Sequence, residues 1–369
     1  MPYIPKIIAN DPLTTKIAQV LTHYPLGELV DYTPDQRGFV NKSYAIHTNL
    51  GGNITPYFLR QYKLGILEEE LIYEHSLINH VFEVGLPPVA RVYRTREGTT
   101  FVREDNPPQD DQPIFYAIFD FLPGKDKYNW FNPHCTATEI NASGKTLAQF
   151  HQAGWNFQPQ GLRREPRIAD LLEIIRNNLL ICLAQSHLKV FNQFIQPHQS
   201  FLEDKLKSLT TLLHSPVCLG LPELIIHCDY HPGNLKFQDE QVVGLFDFDW
   251  SKLDYRLFDL ALAIVYFFAE WEGAGDGELR LDEVTQFISA YQDVLQNSGD
   301  VPPLSPNEQA LLGSFIESAN LYVFNWTIGD LLNKEVEIDL YSMFVLHGIR
   351  TALWLDDSSN RAEIGQLFK

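Results

Sequence analysis

The stretch H-C-D-Y-H-P-G-N-L-K-F, from His227 to Phe237, followed by V-G-L-F-D-F-D-W, from Val243 to Trp250, decides how this chain is read. The first segment is a polar loop carrying the carboxylate of Asp229 and the amide of Asn234. Pro232 and Gly233 between them force a tight turn that brings Asn234 back toward Asp229. The second segment is an apolar run that ends on Asp247, with Asp249 two residues later. The spacing H-x-D-x-x-x-x-N, with a further aspartate after a hairpin-like link, is far rarer than a chance polar turn.

That spacing is the one used by the catalytic loop of protein-kinase-like phosphotransferases. Together with D-F-D and with D-L-A at Asp259 to Ala261, it resembles the family of aminoglycoside phosphotransferases, choline kinases and type II homoserine kinases. The 5-methylthioribose kinases belong to the same group. The resemblance covers roughly residues 30 to 270 and is specific from 225 to 262. It implies an α+β, bilobal protein-kinase-like fold: a small antiparallel-sheet nucleotide lobe over 1–123, and a larger, mainly helical lobe over 124–369 with the catalytic loop and acceptor site. It also implies transfer of the γ-phosphate of ATP to a small-molecule hydroxyl. In that frame Asp229 is the base toward the acceptor hydroxyl. Asn234 and Asp247 supply the oxygen ligands that a hard cation such as Mg²⁺ takes. His227 would fix the loop, and Asp259 would brace it.

Outward from the loop, residues 38–122 alternate short strands with one helix. Phe39–Thr48 and Ile54–Tyr62 read as a hairpin closed by N-L-G-G-N, and Glu68–Val84 as a helix ended by Gly85. Val89–Thr95 and Thr99–Arg103 read as a second hairpin across Glu97-Gly98, and Ile114–Leu122 as a further strand. In kinases a cation on the third strand pairs with a glutamate on the following helix. Arg60 is in register for that role, with Lys63 on the opposite face, and Glu74 is the expected partner. Arginine in place of lysine is a departure from most kinases, yet its planar fork also binds phosphate. Gly38, Asn41 and Ser43, in D-Q-R-G-F-V-N-K-S-Y, are the expected phosphate-covering contacts, although one glycine is a thin signal.

Beyond residue 136 the chain reads as helical: 137–153, 168–184, 187–214, 257–271, 281–297, 307–332 and 336–356. Arg163, Arg164 and Arg167 form a basic cluster able to hold a substrate carboxylate, or else a solvated loop. Asp249 is read as a second metal or substrate contact, and the glycine-rich 273–277 as a surface loop.

The 369 residues are enough for one large or two medium domains, and 45% hydrophobic with 20% charged content describes a globular chain. A net charge of −19 argues against nucleic acid and against an anionic membrane surface as partners. Four cysteines without metal spacing, no long apolar leader, and an apolar stretch at 257–271 too short to span a bilayer lead to a cytoplasmic expectation. The reading is therefore an ATP- and Mg²⁺-dependent phosphotransferase whose partner is a small-molecule hydroxyl, in a hydroxy-amino acid or amino alcohol of the homoserine type. The alternatives are an aminoglycoside or sugar kinase, a protein serine kinase of the same family, or a catalytically silent nucleotide-binding regulator.

Overall fold

The computed structural model describes residues 11–35, 41–86, 88–105, 112–297 and 300–368. The chain divides into two units. The first gathers Met1–Gly124, Gln158–Arg163 and Val243–Asp249; the second gathers Lys125–Phe157, Arg164–Val242 and Trp250–Lys369.

The first unit opens with α1 (Pro12–Thr22), which Asp11 caps by accepting from the Thr14 N–H at 2.7 Å, with Pro12 where a helix tolerates it best. Five strands follow: β1 (Glu28–Asp35), β2 (Lys42–Leu50), β3 (Asn53–Gln61), then, after α2 (Glu68–Glu83), β4 (Val102–Glu104) and β5 (Ile114–Asp120). They form one antiparallel sheet in the order β1-β2-β3-β5-β4. The β2–β3 turn needs Gly51 and Gly52, both at positive φ, which is the expected N-L-G-G-N hairpin. Ile17, Val20 and Leu21 of α1 pack on Ile46, Leu59 and Ile118 of the sheet.

The five-strand count was expected, but its membership differs. The turn at Glu97-Gly98 forms, with the Thr95 N–H donating to Thr99 O at 2.7 Å. The segment before it does not pair with Thr99–Arg103. It lies instead beside β5, through Val92 opposite Phe119 and the Tyr93 N–H donating to Ile118 O at 2.8 Å. The edge strand β1 takes the vacant place. The short segment Gln158–Arg163 docks on α2: Gly161, at φ +84°, lies so close that a Cβ would meet Glu69 O at 2.3 Å.

The second unit is mainly helical: α3 (Ala137–Gly154), α4 (Ile168–Ala184), α5 (Lys189–Ile195), α6 (Gln199–Leu213), α7 (Pro216–Leu219), α8 (Arg256–Phe268), α9 (Leu281–Gln296), α10 (Pro306–Asn333), α11 (Ile338–Asp356) and α12 (Ser358–Ile364). The stretch expected as one helix over 187–214 is broken into α5 and α6 by a 3₁₀ turn holding Pro197, which cannot continue a helix ladder. Every residue of α8 is buried, so its nearly continuous apolar sequence belongs to a core helix. Gly144 lets α3 touch α9, because a Cβ there would meet Phe287 O at 2.5 Å.

Short strands β6 (Glu223–Ile226) and β9 (Lys252–Tyr255) pair antiparallel, while β7 (Leu235–Gln238) and β8 (Gln241–Leu245) form a hairpin. β8 runs on into the Val243–Asp249 segment of the first unit. The loop at 273–277 is not free at the surface throughout. Asp276 accepts from His347 Nδ1 at 2.7 Å, and a Cβ on Gly277 would meet the Thr351 nitrogen at 2.6 Å. Among the described residues, no helix is long and apolar enough to cross a membrane.

Candidate active site

Two clusters hold the residues singled out by the sequence, one in each unit. In the first unit Arg60, on β3, is 7% exposed and reaches two carboxylates. Its Nη2 lies 3.0 Å from Asp247 Oδ1, and its Nη1 lies 3.5 Å from Glu74 Oε1 on α2. β-strand alternation makes this possible: Arg60 and Tyr62 share one face, and Ser43 of β2 sits across from Arg60 in register. Asp247 adopts φ 70°, a left-handed conformation that turns its side chain out of the preceding apolar run.

Asp249, 5% exposed, lies close enough to Arg60 and Asp247 to feel both charges, and accepts from Asn41 Nδ2 at 3.0 Å. Asn41 is thus occupied within the protein, since its Oδ1 also accepts from the Lys63 N–H at 3.0 Å. Its role there is to tie Asp249 to the chain after β3. Gly38 lies outside the described residues.

The electrostatics of this cluster are lopsided. Three buried or half-buried carboxylates, Glu74, Asp247 and Asp249, gather on the guanidinium of Arg60, with Lys63 and Arg163 also acting on Asp249. Burial pushes the Glu74 carboxyl up to about 8 against the pull of Arg60, and burial with the neighbouring Asp247 raises Asp249. Arg60 responds oppositely: burial works against its charge, but Asp247, Tyr62 and Glu74 hold it well above its ordinary value. Among the described residues, neither Glu74 oxygen completes a hydrogen bond, and Oδ1 of Asp247 and of Asp249 likewise lack one. Surplus negative charge of this kind is what a divalent cation offsets. No group of three or more His, Cys, Asp or Glu among the described residues is arranged to hold a metal.

The second unit carries the loop. Asn234 donates through Nδ2 to both Asp229 O and Asp229 Oδ2, each at 2.9 Å, which commits its NH₂ and leaves the amide oxygen for another partner. The Pro232-Gly233 turn does bring these two residues together, as a 3₁₀ turn. His231 Nε2 lies 3.5 Å from Asp229 Oδ2, and the Tyr266 hydroxyl of α8 faces the same carboxylate. The loop starts from a strained residue, Cys228, at φ 62°. Asp259 of α8 braces it: its carboxylate accepts from the backbone N–H of His227 at 2.9 Å and of Cys228 at 2.8 Å, and contacts His151 Nε2 at 3.0 Å. Burial alone would raise Asp259, but the bond from His151 and the nearby imidazoles hold it below the usual carboxylate range.

Tyr62, His75 and Tyr266 were not singled out by the sequence. None lies in a motif, and only the fold brings their hydroxyl and ring nitrogens beside the charged groups. The arginines of 163–167 are engaged separately. Arg163 lies 3.8 Å from Glu70, and Arg167 pairs with Glu223.

Residues 31–293 match the phosphotransferase enzyme family. The homoserine kinase of Afipia carboxidovorans is 27% identical over 329 residues, covering 88% of this chain and 87% of that protein. Among solved structures, an aminoglycoside phosphotransferase from Alicyclobacillus acidocaldarius has a TM-score of 0.64 at 15% identity, with 98% of each chain covered. An amicoumacin kinase in complex with AMP-PNP and Ca²⁺ has a TM-score of 0.63 at 14% identity, with 93% of each covered. These likenesses are in fold, which is protein-kinase-like. The chain belongs to the phosphotransferase enzyme family and is a small-molecule kinase that transfers phosphate to a hydroxyl.

Proposed function

We propose that this protein transfers the γ-phosphate of Mg²⁺-bound ATP to the hydroxyl of a hydroxy-amino acid or amino alcohol of the homoserine type. The observation that carries the reading is the convergence of Asn234, His231 and Tyr266 on the Asp229 carboxylate. A carboxylate held in one orientation is suited to accept a hydrogen bond, and then the proton, from an attacking hydroxyl. In this assignment Arg60, paired with Glu74, binds and orients the phosphates, with Ser43 across from it. Asp247 and the Asn234 amide oxygen are the metal ligands. The cation, when bound, neutralises charge on the phosphates. The division into residues 1–123 as nucleotide lobe and 124–369 as acceptor lobe is part of the same proposal.

An acceptor carrying an amine is favoured by the half-buried rings of Trp130, Phe131 and Phe344, which pack with Trp271, itself stacked on His347; Trp130 is set 5.5 Å from Trp271 and 5.1 Å from Phe344. Trp130 also contacts Tyr266, so this cluster adjoins the residue facing Asp229. Half-buried aromatic faces attract an ammonium group. The homoserine kinases among the relatives point to the same acceptor class.

The test is ADP release from Mg-ATP across homoserine, other hydroxy-amino acids, amino alcohols, sugars and aminoglycosides, with Asp229→Asn in parallel. Turnover stimulated by an amino acceptor, and reduced about 10²–10⁴-fold in the variant at unchanged melting temperature, is expected. Full activity in Asp229→Asn would remove that residue from the reaction. Stimulation by sugars alone would overturn the acceptor class.

A further inference from the structure

A buried polar chain leads away from the Arg60–Glu74 pair within the first unit. His75, the neighbour of Glu74 on α2, is 1% exposed and wedged edge-on against Phe119 at 5.8 Å, with Phe101 at 6.2 Å. Its Nε2 lies 3.0 Å from the Tyr62 hydroxyl, and its Nδ1 lies 2.7 Å from Thr100 Oγ1. Tyr62, 2% exposed, is held in the sheet by its N–H donating to Phe115 O at 2.9 Å. Its ring carries the Arg60 guanidinium at 5.8 Å, and its hydroxyl also faces Glu74. Glu74 meanwhile is 2% exposed, with neither oxygen completing a hydrogen bond among the described residues.

The Tyr62 hydroxyl has one proton and two acceptors competing for it: Glu74 and His75 Nε2. Which one receives it depends on the His75 ring. Burial pushes that imidazole down to about 3, so it is neutral and carries a single N–H. If the proton sits on Nδ1, it goes to Thr100, Nε2 takes the Tyr62 proton, and Glu74 is left without a donor. If it sits on Nε2, the ring donates to the Tyr62 oxygen, Thr100 donates to Nδ1, and the Tyr62 proton turns to Glu74. Thr100, His75 and Tyr62 then all have partners, and one Glu74 oxygen gains a donor. The second arrangement therefore supports the ionised form of Glu74, the form that pairs with Arg60, against the burial that raises its carboxyl.

We propose that His75, acting through Tyr62, is a positioning residue that directs a hydrogen bond onto Glu74 and so sets how Arg60 is presented to the nucleotide phosphates. The proposal rests on the kinase reading above. His75 touches no nucleotide in this scheme; its effect passes through one hydroxyl and one carboxylate. The arrangement also explains why an ion pair as long as 3.5 Å persists in the interior, with a neutral donor beside it.

The test uses the full chain and three variants: Tyr62→Phe, His75→Phe and His75→Gln. Two readouts are taken for each, the Kd of Mg-AMP-PNP by calorimetry and the nucleotide and acceptor KM values with kcat. Loss of one buried hydrogen bond corresponds to an affinity loss of about fivefold. Tyr62→Phe and His75→Phe are expected to raise nucleotide Kd and KM by about that factor, with acceptor KM unchanged. The double variant is expected to be no worse than either single one, because both break the same chain. His75→Gln keeps an N–H near the Nε2 position and is expected to restore wild-type affinity. A merely structural role would reduce the active fraction and kcat but leave Kd and KM where they were. Tyr62→Phe removes a single oxygen and decides the matter should His75→Phe not fold. A folded Tyr62→Phe with nucleotide Kd within about twofold of wild type would overturn the proposal. Wild-type protein that binds no nucleotide would instead overturn the kinase reading, and a wild type that binds without turnover still permits the Kd comparison.

Discussion

Glu74 and Asp259 are both carboxylates sealed from solvent, at 2% and 0% exposure, and they have opposite fates. Asp259 accepts two backbone N–H groups and meets His151, and its pKa falls below the ordinary range. Glu74 faces an arginine at 3.5 Å with no completed hydrogen bond among the described residues, and burial lifts it to about 8. Burial is common to the two, so it cannot be what separates them; the supply of donors does, together with the neighbouring charges, Asp249 and Asp247 beside Glu74 and two imidazoles beside Asp259. A fully bonded buried carboxylate works as scaffold. One left short of donors beside a cation keeps a desolvation cost that its surroundings do not offset.

The largest effect should come from breaking the scaffold member of the pair. Asp259→Ala leaves the His227 and Cys228 amides and the His151 ring without their acceptor, at an expected loss of about 3–5 kcal/mol in urea denaturation. A loss under about 1 kcal/mol would mean that the loop holds itself. A smaller and differently directed effect is expected for Glu74→Gln. Stability should hold within about 0.5 kcal/mol or rise, since a neutral amide replaces a charge that burial disfavours, while nucleotide affinity weakens about tenfold. A variant that loses stability without losing affinity would reverse the distinction drawn here.

The smallest effect is in the pH profile of the ligand-free protein. A carboxylate whose folded pKa is raised contributes stability that is present below its unfolded value and is lost as pH rises through the folded one. Glu74 therefore contributes a downward slope from its ordinary value of 4.5 to about 8. Asp259 has the opposite sign: its contribution is present above the ordinary carboxylate range and is lost only as pH falls below it. Across that upper window the melting temperature of Glu74→Gln should fall less with pH than that of the wild type. Parallel curves would mean that Glu74 is ionised in the folded state throughout.

The same contrast marks what could be read in advance. The loop from His227 to Asn234, the strand position of Arg60 and the helix carrying Glu74 follow from local spacing, and the structure brings Asp229 to Asn234 and Arg60 to Glu74. The helix at Ile168–Ala184 also agrees end for end, because its apolar period is regular. Less legible was α1–β1. Pro34 argues against a strand, yet β1 lies at the sheet edge, where a missing N–H costs no ladder bond. The run Val89–Thr95 looked like half of a hairpin because its composition suits any strand. Its partner, β5, was set by long-range packing that no local pattern encodes. Neither the Tyr62–His75 chain nor the Tyr266 contact has a signature in spacing.

The segment Val243–Asp249 belongs to the first unit, where Leu245 bonds to Pro88 at 2.6 Å and Asp247 holds Arg60. That unit is thus assembled from chain ends made far apart in time. While residues 1–124 emerge from the ribosome, Arg60 has Glu74 but not yet Asp247, the neighbour that does most to hold its charge. The sheet must either wait with its guanidinium in water or bury it at a loss, until the hairpin of β7 and β8 supplies the missing carboxylate. A protein cut after residue 124 would carry that frustration permanently, so the five-stranded sheet is a poor candidate for independent expression, however self-contained its strand order looks.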